Sequence, residues 1–194
     1  MTFYRVARII LLVIFKLIFK IDVIGVEKIP KKGRAILCSN HVSLLDPIVL
    51  GIAVPRPISF MAKRELFEKP ILGSIVRGLN SFPVDREGSD ISAIRTSLKV
   101  LKEGKLLGIF PEGTRVKEMD LDNAKPGVAL IGVKSKSPII PAYIDSNYRL
   151  FSKVTIRIGE PIYLDEYFGN RLSTEDYKNI SKNVMKSIYS LKSL

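Results

Sequence analysis

The stretch Ala35-Ile36-Leu37-Cys38-Ser39-Asn40-His41-Val42-Ser43-Leu44-Leu45-Asp46-Pro47 decides how this chain is read. Ala35–Ser39 is a short apolar run after the turn Pro30-Lys31-Lys32-Gly33, which argues for a buried strand. Asp46-Pro47 then opens a short helix over Pro47–Ala53, with Asp46 as N-cap and Pro47 at the first helical position. Between strand and helix stands a polar segment holding the chain's one histidine.

Working outward, short apolar runs keep alternating with amphipathic stretches, the pattern of a single α/β domain. Ile21–Val26, Ile58–Ala62, Phe82–Val84, Leu106–Phe110, Pro138–Ile144 and Val154–Ile158 read as strands. Pro70–Gly78 reads as a loop with a short helix, and Pro126–Val133 as helical. Asp90 can cap a helix whose apolar positions are Ile91, Ile94, Leu98 and Leu101 and which stops at Gly104. The clearest helix is the last: Ser173 and Asp176 form a capping-box start, and Tyr177, Ile180, Val184, Ile188 and Leu191 make one apolar stripe. Lys178, Lys182 and Lys186 line a second stripe, either a solvated face or a contact with anionic headgroups.

The chain has 194 residues, 31 Lys+Arg against 19 Asp+Glu, and a net charge of +12. Half of that excess lies in residues 1–34, with eight basic and two acidic groups, which suits an anionic partner, either nucleic acid or a membrane surface. Here Arg5 and Arg8 precede Ile9–Phe15, followed by Lys16, Leu17-Ile18-Phe19 and Lys20. Seven uncharged residues, or eleven if Lys16 snorkels, fall short of the roughly 20 that a spanning helix needs. No small-residue cleavage site follows, so a secretory signal is a poor fit. Residues 1–20 therefore read as a helix in the membrane interface with basic flanks at the headgroups, ahead of a domain over 21–194; the alternative is a helix packed on the protein's own core. Nucleic acid is not expected, since aromatics are not interleaved with the basic groups. With Cys38 alone there is no internal disulfide, and with His41 as the other soft ligand no zinc cluster, so a reducing compartment and no metal are expected. No dinucleotide fingerprint or P-loop occurs, so no cofactor is expected either.

His41 stands five residues before Asp46 and could be a base with its orienting carboxylate. Five residues of regular helix turn about 500°, leaving two side chains ~140° apart, so the pair requires a bend at the helix start. Otherwise Asp46 is an N-cap only, Ser43 a second local cap, and His41 a satisfied strand-end residue. Phe82-Pro83-Val84-Asp85-Arg86 and Phe110-Pro111-Glu112-Gly113-Thr114-Arg115 each put an arginine just past a strand, where guanidinium groups can grip phosphate. Gly113 permits close backbone approach, and Thr114 offers a hydroxyl and an amide to an oxyanion. The local alternatives pair Arg86 with Asp85 or Glu87, and Arg115 with Glu112 or Glu118. Pro141, late in an apolar strand, fits a sheet edge or a pocket wall. Cys38, inside an apolar strand, reads as inert core.

In this order and spacing, Asn40-His41-x-Ser43-x-x-Asp46, Phe82–Arg86, Phe110–Arg115 and Ile140-Pro141 resemble the four motifs of the glycerolipid acyltransferases, nearest to the bacterial lysophosphatidate acyltransferases. The likeness runs from about Ile21 to Pro161. It implies a mixed, mostly parallel sheet flanked by helices, and transfer of an acyl group from acyl-CoA or acyl-carrier protein to the sn-2 hydroxyl of lysophosphatidate, forming phosphatidate. It also implies His41 as general base with Asp46 as its partner, and Arg86 and Arg115 on the glycerophosphate. Glu112, Gly113 and Thr114 would shape that site, and Pro141 would lie near the acyl groups. The expected location is the cytoplasmic face of the cell membrane, peripheral or monotopic. The alternatives are another acceptor, such as a different lysophospholipid or glycerol-3-phosphate, and a non-catalytic binder of anionic lipid.

Overall fold

The computed structural model describes residues 2–84, 91–116 and 118–193. In chain order the elements are α1 (Thr2–Ile18), β1 (Lys20–Ile24), β2 (Ala35–Ser39), α2 (Asp46–Ala53), β3 (Ile58–Lys63), α3 (Arg64–Glu68) and α4 (Pro70–Gly78). There follow β4 (Phe82–Val84), α5 (Ile91–Lys102), β5 (Leu106–Ile109), α6 (Gly127–Ser135), β6 (Ile139–Asp145), β7 (Lys153–Ile158) and α7 (Thr174–Ser190). The described strands form one sheet in the order β1-β7-β6-β2-β5-β3-β4. Every neighbouring pair is parallel except β6 with β7.

β2 is buried throughout because both sheet faces are covered, which is why it reads as an unbroken apolar run rather than an alternating one. Leu37 and Ala35 point into a core with Phe15, Phe19, Val49 and Leu50 of the α1–α2 layer. Ile36 and Cys38 point the other way, toward Leu101, Val128, Ile180, Val184 and Ile188 of α5, α6 and α7. With β5 on one side of β2 and β6 on the other, the loops leaving three parallel strands emerge side by side at one sheet edge. That edge is where open α/β sheets place their ligands.

The elements begin and end for local reasons. α7 starts on the expected capping box: Ser173 Oγ accepts from the Asp176 N–H at 3.2 Å, and the Ser173 N–H donates to Asp176 Oδ2 at 2.8 Å. α5 gives way at Gly104, whose φ of 71° suits glycine and lets its N–H return to the Leu101 carbonyl. Asp90, expected as the α5 cap, lies outside the described residues.

Four local expectations change. Pro70–Gly78 is helical throughout, with its proline in the first turn, and a separate turn of helix, α3, precedes it. Asp46 is not an N-cap: Leu45 holds that position, and the Asp46 carboxylate folds back over the loop before the helix. Pro141 is on an interior strand, not an edge. Its carbonyl accepts from the Gly159 N–H at 2.8 Å, one residue past the end of β7, so the missing proline N–H falls where the ladder has run out. Arg8 is not spent on headgroups. It donates to the Gly51 and Ile52 carbonyls at 3.2 and 2.8 Å, satisfying the C-terminal end of α2.

α1 is packed on the core along one side, as the alternative reading of the N-terminal segment expects, and exposed along the other. Tyr4, Phe15 and the adjoining Phe19 are buried, with Leu11, Leu12 and Ile18 packed behind them. Val6, Ile9, Ile10, Val13, Ile14 and Leu17 are exposed on the other side. Among the described residues no helix is long and apolar enough to cross a membrane. On α7, Lys182 is held by Asp122 at 2.8 Å, so the basic stripe is partly engaged with the protein itself.

Gly108, in β5, leaves the space into which the Phe60 ring lies flat: a Cβ there would stand 2.3 Å from Phe60 Cε1 and 2.8 Å from Ile58 Cγ2. Gly108→Ala should therefore cost about 1–3 kcal/mol in denaturant unfolding. An unchanged midpoint would show that the Phe60 ring is free to move.

Candidate active site

At the end of β2 the Asn40 side chain closes a two-way clasp on β6, donating to the Ile144 carbonyl at 3.0 Å and accepting from the Ile144 N–H at 2.7 Å. The clasp fixes where the following residue begins. His41 is then held at three places. Its N–H donates to Glu112 Oε2 at 2.9 Å, its carbonyl accepts from the Val116 N–H at 2.9 Å, and its Nδ1 lies 2.8 Å from Asp46 Oδ2. The ring stacks on Phe110 with centroids 4.1 Å apart and planes 19° apart, and Phe110 in turn stacks on Phe60.

The required bend is supplied by Asp46 itself. Its Oδ2 accepts from the Val42 and Ser43 N–H groups, each at 2.7 Å, which curls the intervening loop around the carboxylate and swings His41 onto it. Ser43 does not cap α2 either; its Oγ accepts from the Leu45 N–H at 3.2 Å within the loop before the helix. Asp46 Oδ1 accepts from the Tyr148 hydroxyl at 2.6 Å. The Asp46 residue is 0% exposed, so a charge there rests entirely on these donors.

The donors determine the proton positions. Two backbone N–H groups and a phenol ask the carboxylate to accept only, which is the role of its ionised form. Burial, and after it the Asp46 carboxylate, push the Tyr148 phenol far above its ordinary range, so it stays a donor. Facing an acceptor, His41 Nδ1 carries the hydrogen and the lone pair is left on Nε2. The arrangement is an imidazole oriented through Nδ1 by a buried carboxylate, with Nε2 turned away from that carboxylate as a general base requires.

Glu112 is buried and turned inward. Oε2 takes the His41 N–H, and Oε1 takes the Tyr189 hydroxyl of α7 at 2.5 Å. Burial raises its carboxyl above the ordinary range, a shift opposed by the Tyr189 and His41 hydrogen bonds. Glu112 thus braces the His41 backbone from inside. Gly113 adopts φ 70°, a turn conformation that glycine accepts without strain. Thr114 and Arg115 follow at the exposed surface, and Arg115 adjoins Val116, the residue bonded to the His41 carbonyl.

The structure thus brings His41, Asp46 and Glu112 into one hydrogen-bonded network and carries Gly113, Thr114 and Arg115 past its mouth. Arg86 lies outside the described residues. Pro141 is buried within β6, its ring close to Gly159, and takes no part in the network. Cys38 is buried, and burial pushes its thiol well up, consistent with inert core. Among the described residues no three His, Cys, Asp or Glu side chains converge as metal ligands. Sequence reasoning missed Tyr148 and Tyr189, which lie in no motif. Tyr189 could have been noticed as an aromatic on the last helix beside its apolar stripe, whereas Tyr148 left no periodic signal.

A family model described as Acyltransferase matches residues 20–145. The chain is 36% identical to the 1-acyl-sn-glycerol-3-phosphate acyltransferase of Bacillus subtilis over 84% of each protein. It is 30% identical to the enzyme of that name from Borreliella burgdorferi, over 75% of this chain but 59% of that protein. The crystal structure of the 1-acyl-sn-glycerophosphate acyltransferase from Thermotoga maritima superimposes with a TM-score of 0.75 at 27% identity, covering 98% of this chain and 82% of that one. By fold and by sequence alike, the chain belongs to the Acyltransferase family.

Proposed function

We propose that this protein transfers a fatty acyl group from a thioester, acyl-CoA or acyl-carrier protein, to the sn-2 hydroxyl of lysophosphatidate, giving phosphatidate. The observation that carries the reading is the buried Asp46 carboxylate holding His41 Nδ1 at 2.8 Å, which leaves Nε2 as the base. An alcohol is too weakly acidic to attack a thioester unaided at neutral pH. In the proposed step Nε2 takes the hydroxyl proton as the oxygen attacks the thioester carbon. The C–O bond forms, the C–S bond breaks, and the imidazolium returns its proton to the departing thiolate. No covalent enzyme intermediate is required. The relatives named above support lysophosphatidate as acceptor.

Arg115 is a described cation on the loop that crosses His41, and with Arg86, assigned by resemblance, it would clamp the acceptor phosphate and hold the hydroxyl at the base. The exposed apolar face of α1 continues onto Leu150 and Phe151, which are 74% and 71% exposed and sit against the end of α1 through the Phe151 N–H bond to the Ile18 carbonyl. Arg5, Lys16 and Lys20 are exposed beside it. We read this as a helix lying in an anionic membrane interface, apolar side down, next to the loops that carry the site.

His41→Ala should lower transfer by about 10²–10⁴-fold, and retention of most activity by the folded variant would sink the reading of His41 as the base, whereas no transfer by wild type to any acceptor would favour a lipid-binding protein. Arg115→Ala should raise the KM for lysophosphatidate about tenfold or more while sparing the donor KM. Equal use of acceptors lacking a phosphate by wild type would exclude the clamp, and crossing lysophosphatidate, other lysophospholipids and glycerol-3-phosphate with both donors identifies the preferred pair. Flotation with phosphatidylglycerol vesicles should carry the wild type and leave Ile9→Glu/Leu17→Glu behind; equal flotation would remove α1 from the membrane contact.

Glu112 predicts a pH dependence. Its folded carboxyl is raised, so the stability it contributes below the ordinary carboxyl range is lost as pH rises through the raised value. Glu112→Gln cannot ionise. The Tm difference between variant and wild type should therefore shift in the variant's favour from about pH 4 to about pH 8. A difference independent of pH would contradict a burial-raised carboxyl.

A further inference from the structure

Tyr148 belongs to no motif, yet it fills the outer oxygen of the buried carboxylate. Three donors converge on Asp46 Oδ2, whereas Oδ1 is met by the Tyr148 hydroxyl at 2.6 Å. Without that hydroxyl a buried carboxylate oxygen would lose its partner, and little would stop the group from twisting about its Cβ–Cγ bond.

The segment that carries Tyr148 is built to present it. Tyr148 adopts φ 52°, uncommon for an aromatic residue, and its N–H is caught by Ser146 Oγ at 3.0 Å. The ring meets the buried Phe19 ring edge-on at 5.8 Å, and Phe19 packs on Phe15 of α1 at 5.6 Å. On either side of the α1–β1 junction the same segment is pinned by backbone bonds, Phe151 N–H to the Ile18 carbonyl at 2.8 Å and Lys20 N–H to the Ser152 carbonyl at 3.1 Å.

We propose that Tyr148 is a positioning residue for the acyl transfer: its hydroxyl locks the Asp46 carboxylate in the orientation that serves His41, and Phe19 at the end of α1 holds the phenol in place. The proposal rests on the reading of His41 as base. The hydroxyl also draws part of the carboxylate's charge away from Nδ1. The other groups facing this pair are the Val42 and Ser43 N–H donors from the β2–α2 loop and the Glu112 carboxylate from the loop after β5, which is engaged by Tyr189.

Tyr148→Phe keeps the ring against Phe19 and removes only the hydroxyl. It should lower kcat about tenfold, the worth of one buried hydrogen bond, with the acceptor KM nearly unchanged. Because more of the carboxylate charge then falls on the imidazolium formed in the reaction, the acid limb of the kcat profile should move up by about half a pH unit. His41 is the sole histidine, so its Nδ1 proton signal in NMR needs no assignment among others. That signal should move to lower field in Y148F, and in an Asp46→Asn background Y148F should change neither the signal nor the residual rate. Unchanged kcat, pH limb and Nδ1 signal in folded Y148F would overturn the proposal.

If Y148F does not fold, site-specific 3-fluorotyrosine at position 148 keeps size and contact while strengthening the donor. The Nδ1 signal should then move to higher field, and an unmoved signal overturns the proposal. The NMR arm needs no substrate. A protein inactive on lysophosphatidate whose signal responds at position 148 would refute the assigned reaction and leave the coupling standing, whereas an active protein with an indifferent signal would do the reverse.

Discussion

A negative charge sealed away from water is the constraint that organises this molecule. Asp46 accepts from Val42 and Ser43 in its own loop, from His41 and from Tyr148, so segments 102 residues apart in the chain must meet correctly before the carboxylate is tolerable. That requirement explains much that looks incidental. The Asn40 clasp on Ile144 aligns the loop after β2 with the end of β6, and the Glu112 brace aligns it with the loop after β5. The parallel order β6-β2-β5 is what makes those three loops neighbours. Fold and site are therefore one construction, with the sheet serving to bring donors to a buried anion.

α1 shows how one segment can serve two surroundings. The side carrying Tyr4, Arg8 and Phe15 closes the core over α2 by packing and by satisfying helix-end carbonyls, while the opposite side keeps a run of branched apolar residues in the open. A water-exposed face of that kind is costly, and it is the ground, with its basic neighbours, for the membrane contact proposed above. The concentration of positive charge in residues 1–34 is thus partly architectural, since Arg8 is consumed inside the protein and Arg34 donates to the Lys136 carbonyl at 3.1 Å.

Much of this was legible beforehand because it is written in local patterns. The strands β2, β5 and β6 announce themselves by apolar runs that both-sided burial requires, and α7 by its capping box and stripe. The His41–Asp46 pair was readable as a possibility because five residues need a bend and Asp46-Pro47 can make one. What escaped depends on distance in the chain. Asp46 looked like a cap because caps are defined by the next turn, whereas its real donors lie behind it in the loop and across the sheet at Tyr148. Pro141 fitted an edge or a pocket wall, and the edge half of that reading failed because sequence does not show that β7 ends opposite it. Tyr148 gave no signal at all and Tyr189 only that of an aromatic beside the α7 stripe, since a phenol that completes a network 102 or 77 residues away has no local periodicity to betray its partner.

The stacked rings beneath His41 have a consequence of their own. Phe110 lies parallel to the imidazole at 4.1 Å and is backed by Phe60, whose flat seat exists because residue 108 has no side chain. A benzene face is a weak partner for a neutral imidazole and a better one for a cation, because its quadrupole presents negative charge to whatever lies above it. The floor of the site therefore gains affinity for the ring at the moment it becomes charged and loses it when the proton leaves. Unlike a second carboxylate in that place, it does so without trapping the proton between turnovers.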